Sequence, residues 1–289
     1  MSASDIRLRR SALFMPGHNQ RALDKARTLD CDVVIMDFED SVAPNVKPEA
    51  RQCVKAAINK GGYGYRGLVV RANSLATKWG RDDIDAVASL DIDAVMLPKV
   101  ESADEVLAVS ECLDANDGQS KSIWVMAETP RGILNINDIA ASHPRVDCIV
   151  VGMEDLGKAM RVPPSPGRLG LLNALTTCVL AARANDIDIL DSVFTQLDDA
   201  VGLRKSCEQG RALGFDGKTL IHPNQIETAN STFSPPEESV VWSRKVVEAW
   251  EQSLQDDTGV ITVDGAMIEH LHVAQARRVL ALQEAITKR

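Results

Sequence analysis

A short, mostly apolar run at Ser11–Met15 sets a pattern that recurs along the chain. It returns at Val33–Phe38, Leu68–Ala72, Ala94–Pro98, Ile123–Ala127, Cys148–Val151, Ile187–Asp191 and Lys218–Ile221. Continuous apolar runs this short read as parallel strands covered on both faces. Between them the apolar positions change period. Ala50, Val54, Ala57 and Ile58 share one face of a helix after Pro48. Ile84, Val87 and Ala88 mark a shorter helix, and Leu172, Leu175 and Val179 a long one. Eight strand–helix alternations predict an α/β fold, with the parallel sheet closed into a (β/α)8 TIM barrel. A linker-like stretch, Ser231–Glu238, interrupts this rhythm with Pro235 and Pro236. Beyond it, Val246, Trp250 and Leu254 form one helical stripe, and Val279, Leu282 and Ile286 another. The pattern therefore divides the chain into a barrel over residues 1–230 and a C-terminal helical extension over 231–289.

Composition narrows the partners. A net charge of −9 over 289 residues argues against nucleic acid or an anionic membrane as the main partner. It leaves room for a local basic pocket. The first residues carry charge but no apolar segment of signal-peptide type, and no apolar run approaches membrane length, so a cytoplasmic protein is expected. Cys31, Cys53, Cys112, Cys148, Cys178 and Cys207 are scattered without a C-x-x-C spacing. They read as reduced, mostly buried thiols.

In a barrel, polar residues at strand C-termini face the active-site mouth. The tips here carry His18 and Asn19; Asp37, Glu39 and Asp40; Arg71 and Asn73; Lys99 and Glu101; Glu128 and Arg131; Glu154 and Asp155; Asp191; and His222 with Asn224. The fifth and sixth strands stand out. Each ends in an acid, Glu128 before Pro130 and Asp155 after Gly152, and adjacent strands would set the two carboxylates side by side. Such a pair suits magnesium, which takes one or two carboxylates plus water and substrate oxygens. Two loop acids in ordinary salt bridges would leave the same trace. No His/Cys cluster with zinc spacing is present. Arg71 offers a fork for a substrate carboxylate, or equally an ion pair with Asp37 or Glu39. Alternation along the strand means that the acids of Asp37–Asp40 cannot all face a metal, so part of this cluster would orient Arg71 or water. Gly152–Leu156 would present backbone N–H groups where a helix begins, either as a nest for an oxyanion or as a plain turn. A Schiff base at Lys99 or Lys218 is the rival chemistry, and His222 is either a general base or a core histidine.

Six strings occur in order: Phe14–Gly17, Asp37–Val42, Val70–Asn73, Leu97–Glu101, Ala127–Gly132 and Gly152–Leu156. Together they resemble the citrate lyase β-subunit-like branch of the HpcH/HpaI aldolase superfamily, which includes malyl-CoA and citramalyl-CoA lyases. The resemblance runs through nearly the whole chain. It implies a Mg2+-dependent barrel that cleaves a 3-hydroxyacyl-CoA, in a reversible Claisen-type reaction, to acetyl-CoA or a homologue and a 2-keto acid. Glu128 and Asp155 match the metal-binding acids, and Arg71 matches the arginine that holds the keto acid. Phe14 and Lys25 match residues that bind the thioester, with Asn19 in place of the usual arginine. Within the matching strings, Glu39 is a candidate catalytic residue, and Gly152 and Glu154 join Glu128 and Asp155 as candidate substrate-binding residues. Val263–Ile268 resembles the family's lid, whose aspartate, here Asp264, reaches a neighbouring subunit's active site and is the candidate proton donor to the enolate. A homotrimer, or a hexamer built from trimers, is implied. The alternatives are a malyl-CoA-type thioesterase or synthase, a citrate lyase β subunit acting on acyl-carrier-protein thioesters, and a Schiff-base aldolase.

Overall fold

The computed structural model describes residues 6–163, 165–253 and 260–289, so Leu254 of the predicted helical stripe lies outside the described residues. The residues from Arg9 to Ser231 form one compact unit, and the described residues of 1–8 and 232–289 form another.

The larger unit is a closed barrel of eight parallel strands: β1 (Ser11–Pro16), β2 (Val33–Asp37), β3 (Gly67–Arg71), β4 (Ala94–Leu97), β5 (Ser122–Ala127), β6 (Val146–Val151), β7 (Asp188–Asp191) and β8 (Gly217–Leu220). Each pairs in parallel with the next, and β1 also pairs with β8. Gly217 permits that closure, because a Cβ there would overlap the Arg9 carbonyl and lie 2.8 Å from Arg10 Cα. The connecting helices are α1 (Gln20–Ala26), α2 (Lys47–Lys60), α3 (Gly80–Ala88), α4 (Ala103–Asp114), α5 (Pro130–Leu134), α6 (Ile136–Ala141), α7 (Met153–Met160), α8 (Leu172–Ala184) and α9 (Ala200–Leu213), with α10 (Ile226–Phe233) following β8.

All eight predicted runs are strands, within a residue or two at each end. Their apolar content has a direct physical cause: one face fills the lumen and the other lies under the helices. The lumen is packed by Ala12, Val33, Ile35, Val69, Ala94, Met96, Trp124, Met126, Cys148, Val150 and Leu190. Burying each large side chain of this set contributes about 1.5–3 kcal/mol before entropy is charged against it. Because side chains alternate, the inward rows continue straight into functional groups. Ala12 leads to Phe14, Val33 and Ile35 to Asp37, Val69 to Arg71, and Trp124 and Met126 to Glu128.

The helix faces match the periodicity less evenly. Ala50, Val54, Ala57 and Ile58 are buried as predicted, as are Ile84, Val87 and Ala88. In α8 the buried face is Ala174, Leu175, Cys178, Ala181 and Ala182, whereas Leu172 and Val179 are half-buried. Small residues let that helix lie close to the barrel, and its larger apolar residues flank the contact. The cysteines are free thiols, all buried except the half-buried Cys53. No helix among the described residues is long and apolar enough to cross a membrane.

The second unit holds α11 (Glu237–Ser253) and α12 (His270–Thr287) with a two-stranded antiparallel hairpin, β9 (Ile261–Val263) and β10 (Ala266–Ile268). Its core is Val246, Trp250, Val263, Ile268, Val273 and Ala276. The packed face of α12 is therefore Val273, Ala276 and Ala281, and the predicted stripe Val279, Leu282 and Ile286 is only half-buried. Asp264 and Gly265 form the hairpin turn with φ of 47° and 83°. A two-residue turn with both φ positive favours Asp-Gly, and its twist matches the strands it joins.

Candidate active site

The acid cluster after β2 is held rigidly. Asp37 closes β2 and accepts two hydrogen bonds from Arg71, at 2.6 Å from Nε and 2.8 Å from Nη2. It also accepts from the Ser41 hydroxyl at 2.5 Å and from the backbone N–H groups of Glu39 and Ser41. Burial resists ionisation of Asp37, but the Arg71 fork and the Ser41 hydroxyl outweigh it and hold the carboxyl below the usual range. The following carbonyls are braced from behind. Lys47 Nζ donates to Phe38 O at 2.6 Å and Glu39 O at 2.9 Å, and Asn73 Nδ2 donates to Phe38 O at 2.9 Å. Glu39 thereby faces Arg71 Nη1 at 3.0 Å and Lys99 Nζ at 2.6 Å.

Arg71 is the hub of one half of the site. Besides Asp37 and Glu39 it approaches Met126 Sδ at 3.8 Å, and its guanidinium stacks over Phe14 with 4.7 Å to the ring centroid. The ion-pair alternative raised by the sequence is thus part of the geometry: Arg71 is 8% exposed and its fork rests on Asp37.

Glu128 is the hub of the other half. It stands just past β5, 3% exposed, and Oε1 accepts from the Lys99 N–H at 2.7 Å. Burial, together with the negative charge of Glu39, pushes its carboxyl up to about 7 against the opposing pull of Lys99 and Arg71. Gly152 makes room for it, since a Cβ there would overlap Oε2 and lie 2.7 Å from Glu128 Cβ. Asp155, in the first turn of α7, meets Lys99 Nζ at 3.1 Å. The two acids thus share one residue, Lys99, through its backbone and its ammonium. The donor set is carboxylate oxygen throughout, and a cation already lies among those oxygens. Glu128 is a buried carboxyl that a nearby positive ion would relieve. These features fit a hard divalent ion held by Glu128 and Asp155.

The other predicted positions lie in more varied surroundings. The N–H groups of Gly152, Met153 and Leu156 are committed, to Ala127 O at 3.1 Å, Ser192 Oγ at 3.0 Å and Gly152 O at 3.2 Å, so an oxyanion nest here would rest on the Glu154 and Asp155 N–H groups. Glu154 is exposed in the first turn of α7, and Lys25 is exposed on α1. Asp191 does not face the mouth. It is fully buried beneath α9, bonded to Lys218 Nζ at 3.0 Å and Arg168 Nη1 at 2.6 Å, with Gly210 packed against it. Lys218 is equally buried, which removes it as a Schiff-base candidate. His222 is neither buried nor central: it is exposed and caps the turn after β8, where Nδ1 accepts from the Asn224 N–H. Asn19 caps α1 by accepting from the Ala22 N–H at 3.1 Å. Asp264 belongs to the other unit and pairs there with Lys245 at 2.7 Å. The residue that sequence reasoning undervalued is Lys99. Its signal was a lysine placed immediately after the Pro98 that ends a strand, read only as a nucleophile.

The comparisons identify the family of this barrel. Residues 10–223 match the HpcH/HpaI aldolase/citrate lyase family. The (3S)-malyl-CoA thioesterase of Cereibacter sphaeroides (strain KD131) is 43% identical over 277 residues, which cover 96% of this chain and 95% of that protein. Citrate lyase subunit beta of Escherichia coli (strain K12) is 33% identical over 284 residues, covering 96% and 94%. Among solved structures, CitE from Mycobacterium tuberculosis in complex with magnesium, acetoacetate and coenzyme A superposes with a TM-score of 0.74 at 28% identity, over 95% of this chain and 97% of that one. A citrate lyase from Burkholderia xenovorans LB400 reaches 0.85 at 17% identity, over 99% and 96%, a likeness of fold alone. With relatives aligned over almost its entire length and its barrel matched from the first strand to the last, this chain belongs to the HpcH/HpaI aldolase/citrate lyase family.

Proposed function

We propose that the protein is a Mg2+-dependent carbon–carbon lyase that cleaves a malyl-, citramalyl- or citryl-CoA-like thioester to acetyl-CoA, or a homologue, and a 2-keto acid. The observation that carries this reading is the meeting of Glu128, Asp155, Lys99, Glu39 and Arg71 at adjacent strand tips of one barrel. The related CitE complex with magnesium, acetoacetate and coenzyme A supports the choice of ligands.

Glu128 and Asp155 would hold the ion. When bound there, magnesium supplies Lewis-acid stabilisation for the charge that develops on the substrate oxygen. Arg71 binds the keto-acid carboxylate through its Nη1 side, which Asp37 leaves open and where the substrate would share the guanidinium with Glu39 at 3.0 Å, while Asp37 and Phe14 fix the plane of the fork. Glu39 orients Arg71 and Lys99 together. The pantetheine arm lies toward Phe14 and Lys25 on the β1 side, with Gly152 and Glu154 bordering the opposite edge. Asp264 of an adjacent chain returns the proton to the enolate, within a cytoplasmic homotrimer or hexamer; the likeness of Val263–Ile268 to the family's lid supports this part.

Thioester hydrolysis is the second reading, favoured by the malyl-CoA thioesterase relatives at 43% identity. The citrate lyase β relatives favour a carrier-protein thioester more weakly, at 33%. A panel of CoA thioesters with magnesium separates these, read for free thiol and 2-keto acid independently. Cleavage yields keto acid without thiol, and hydrolysis yields thiol without keto acid. A panel that yields neither product, with acyl-carrier thioesters included, removes both readings.

A further inference from the structure

Lys99 follows Pro98, the first residue past β4, and its backbone is left-handed, with φ of 53°. That conformation is unfavourable for a residue with a Cβ, and such residues concentrate at functional sites. Here it has a visible product. It turns the N–H onto Glu128 Oε1 at 2.7 Å while the side chain doubles back, so that Nζ meets Glu39 Oε1 at 2.6 Å and Asp155 Oδ2 at 3.1 Å. Asp40 Oδ1 lies further off at 4.0 Å. One residue thus touches both carboxylates of the candidate metal pair and a third acid beside them.

We infer that the Lys99 ammonium is a built-in competitor for the metal position, bridging Asp155 and Glu39 until a divalent ion binds and releasing Asp155 when it does. The inference rests on the reading of Glu128 and Asp155 as the metal pair. An ammonium is a compact cation with three donors on a flexible stem, suited to exchanging one carboxylate for another. Its side chain is 40% exposed, so it has room to move, whereas Glu39 is 11% exposed and held in place by Lys47 and Arg71. Glu39 therefore remains as the partner that retains the ammonium after Asp155 is given up. The exchange lowers metal affinity relative to a bare pair of acids, because the ion must displace one positive group and then coexist with it. It also keeps the acids neutralised in the metal-free protein. The backbone contact to Glu128 is separate and survives any side-chain change.

The test is Mn2+ binding, followed by electron paramagnetic resonance and by titration calorimetry, to wild type and to Lys99→Met, Lys99→Gln, Lys99→Arg, Lys158→Met and Glu128→Gln. Lys99→Met and Lys99→Gln should bind Mn2+ about tenfold or more tightly. Lys99→Arg keeps the charge and should show no such gain. Lys158→Met removes an exposed charge on α7 and should change affinity less than about twofold. In EDTA, Lys99→Met should melt below wild type and gain more from Mn2+. Equal or weaker Mn2+ affinity in both charge-removing variants overturns the inference, as does an equal gain in Lys158→Met. If Glu128→Gln binds Mn2+ as wild type does, the metal-pair reading itself fails, a result distinct from the others.

Discussion

Glu128 concentrates the electrostatic problem of the mouth in one residue. It is buried, and its carboxyl titrates near 7 rather than 4.5 because burial penalises the charged form. The folded protein thus holds this proton more tightly than the unfolded chain does. Metal-free protein should therefore lose stability as pH rises from about 4.5 to about 7, by about 3 kcal/mol from this group. Glu128→Gln lacks that loss. Urea unfolding in EDTA at pH 5 and pH 8 checks this: the variant should gain on wild type by that order between the two, and a pH-independent difference would remove Glu128 as the source. Arg71 gives a second test. Lysine keeps its charge but cannot grip Asp37 with two donors, face Glu39 and stack on Phe14 at once. Arg71→Lys should lower kcat/KM about 100-fold, with a weaker inhibition constant for the 2-keto acid product. Unchanged steady-state kinetics would reduce Arg71 to a structural ion pair.

At the level of elements, the site depends on how closely β5 and β6 deliver their tips. Gly152, between β6 and α7, is the tight point, since a methyl group there collides with the Glu128 carboxylate. Gly152→Ala should displace Glu128 and weaken Mn2+ binding about tenfold or more, while far-ultraviolet circular dichroism still reports an intact barrel. Undiminished Mn2+ affinity would show that Glu128 does not need its present position. The strands themselves were legible because burial on both faces leaves an unbroken apolar run. The acids at their ends were legible for the same reason, since a charge directly after such a run has few places to go. Other features were hidden by distance or by size. In α8 the small residues Ala174, Cys178 and Ala181 make the contact, and a hydrophobic count overlooks them. The turn at Asp264-Gly265 was legible from its residue types, whereas the β9 and β10 strands beside it, three residues each, are too short to show a period. Asp191 looked like a tip residue, and only the register of β7 against α9 shows that it points outward to Lys218. The role of Lys99 depends on a backbone conformation that no side-chain pattern encodes.

At the level of the whole molecule, Asp264 is proposed to act across a subunit boundary. Asp264 occupies an exposed hairpin turn, paired with Lys245, in a unit with its own core. Mixing Asp264→Ala with Arg71→Ala separates a shared site from a self-contained one. If the site is shared, some mixed interfaces hold both intact residues and activity returns. Verified mixed oligomers that stay inactive would show that each chain uses its own Asp264, and would leave the metal assignment intact. Turnover is proposed to run through a divalent ion held by Glu128 and Asp155. The most direct measurement of this is turnover of the best CoA thioester by wild type, Glu128→Gln and Asp155→Asn, first in EDTA and then across a magnesium titration. Wild type should show no turnover in EDTA and full recovery with magnesium, and both variants should lose about 1,000-fold or more at the same magnesium concentration. Wild-type turnover that persists undiminished in EDTA would contradict that proposal.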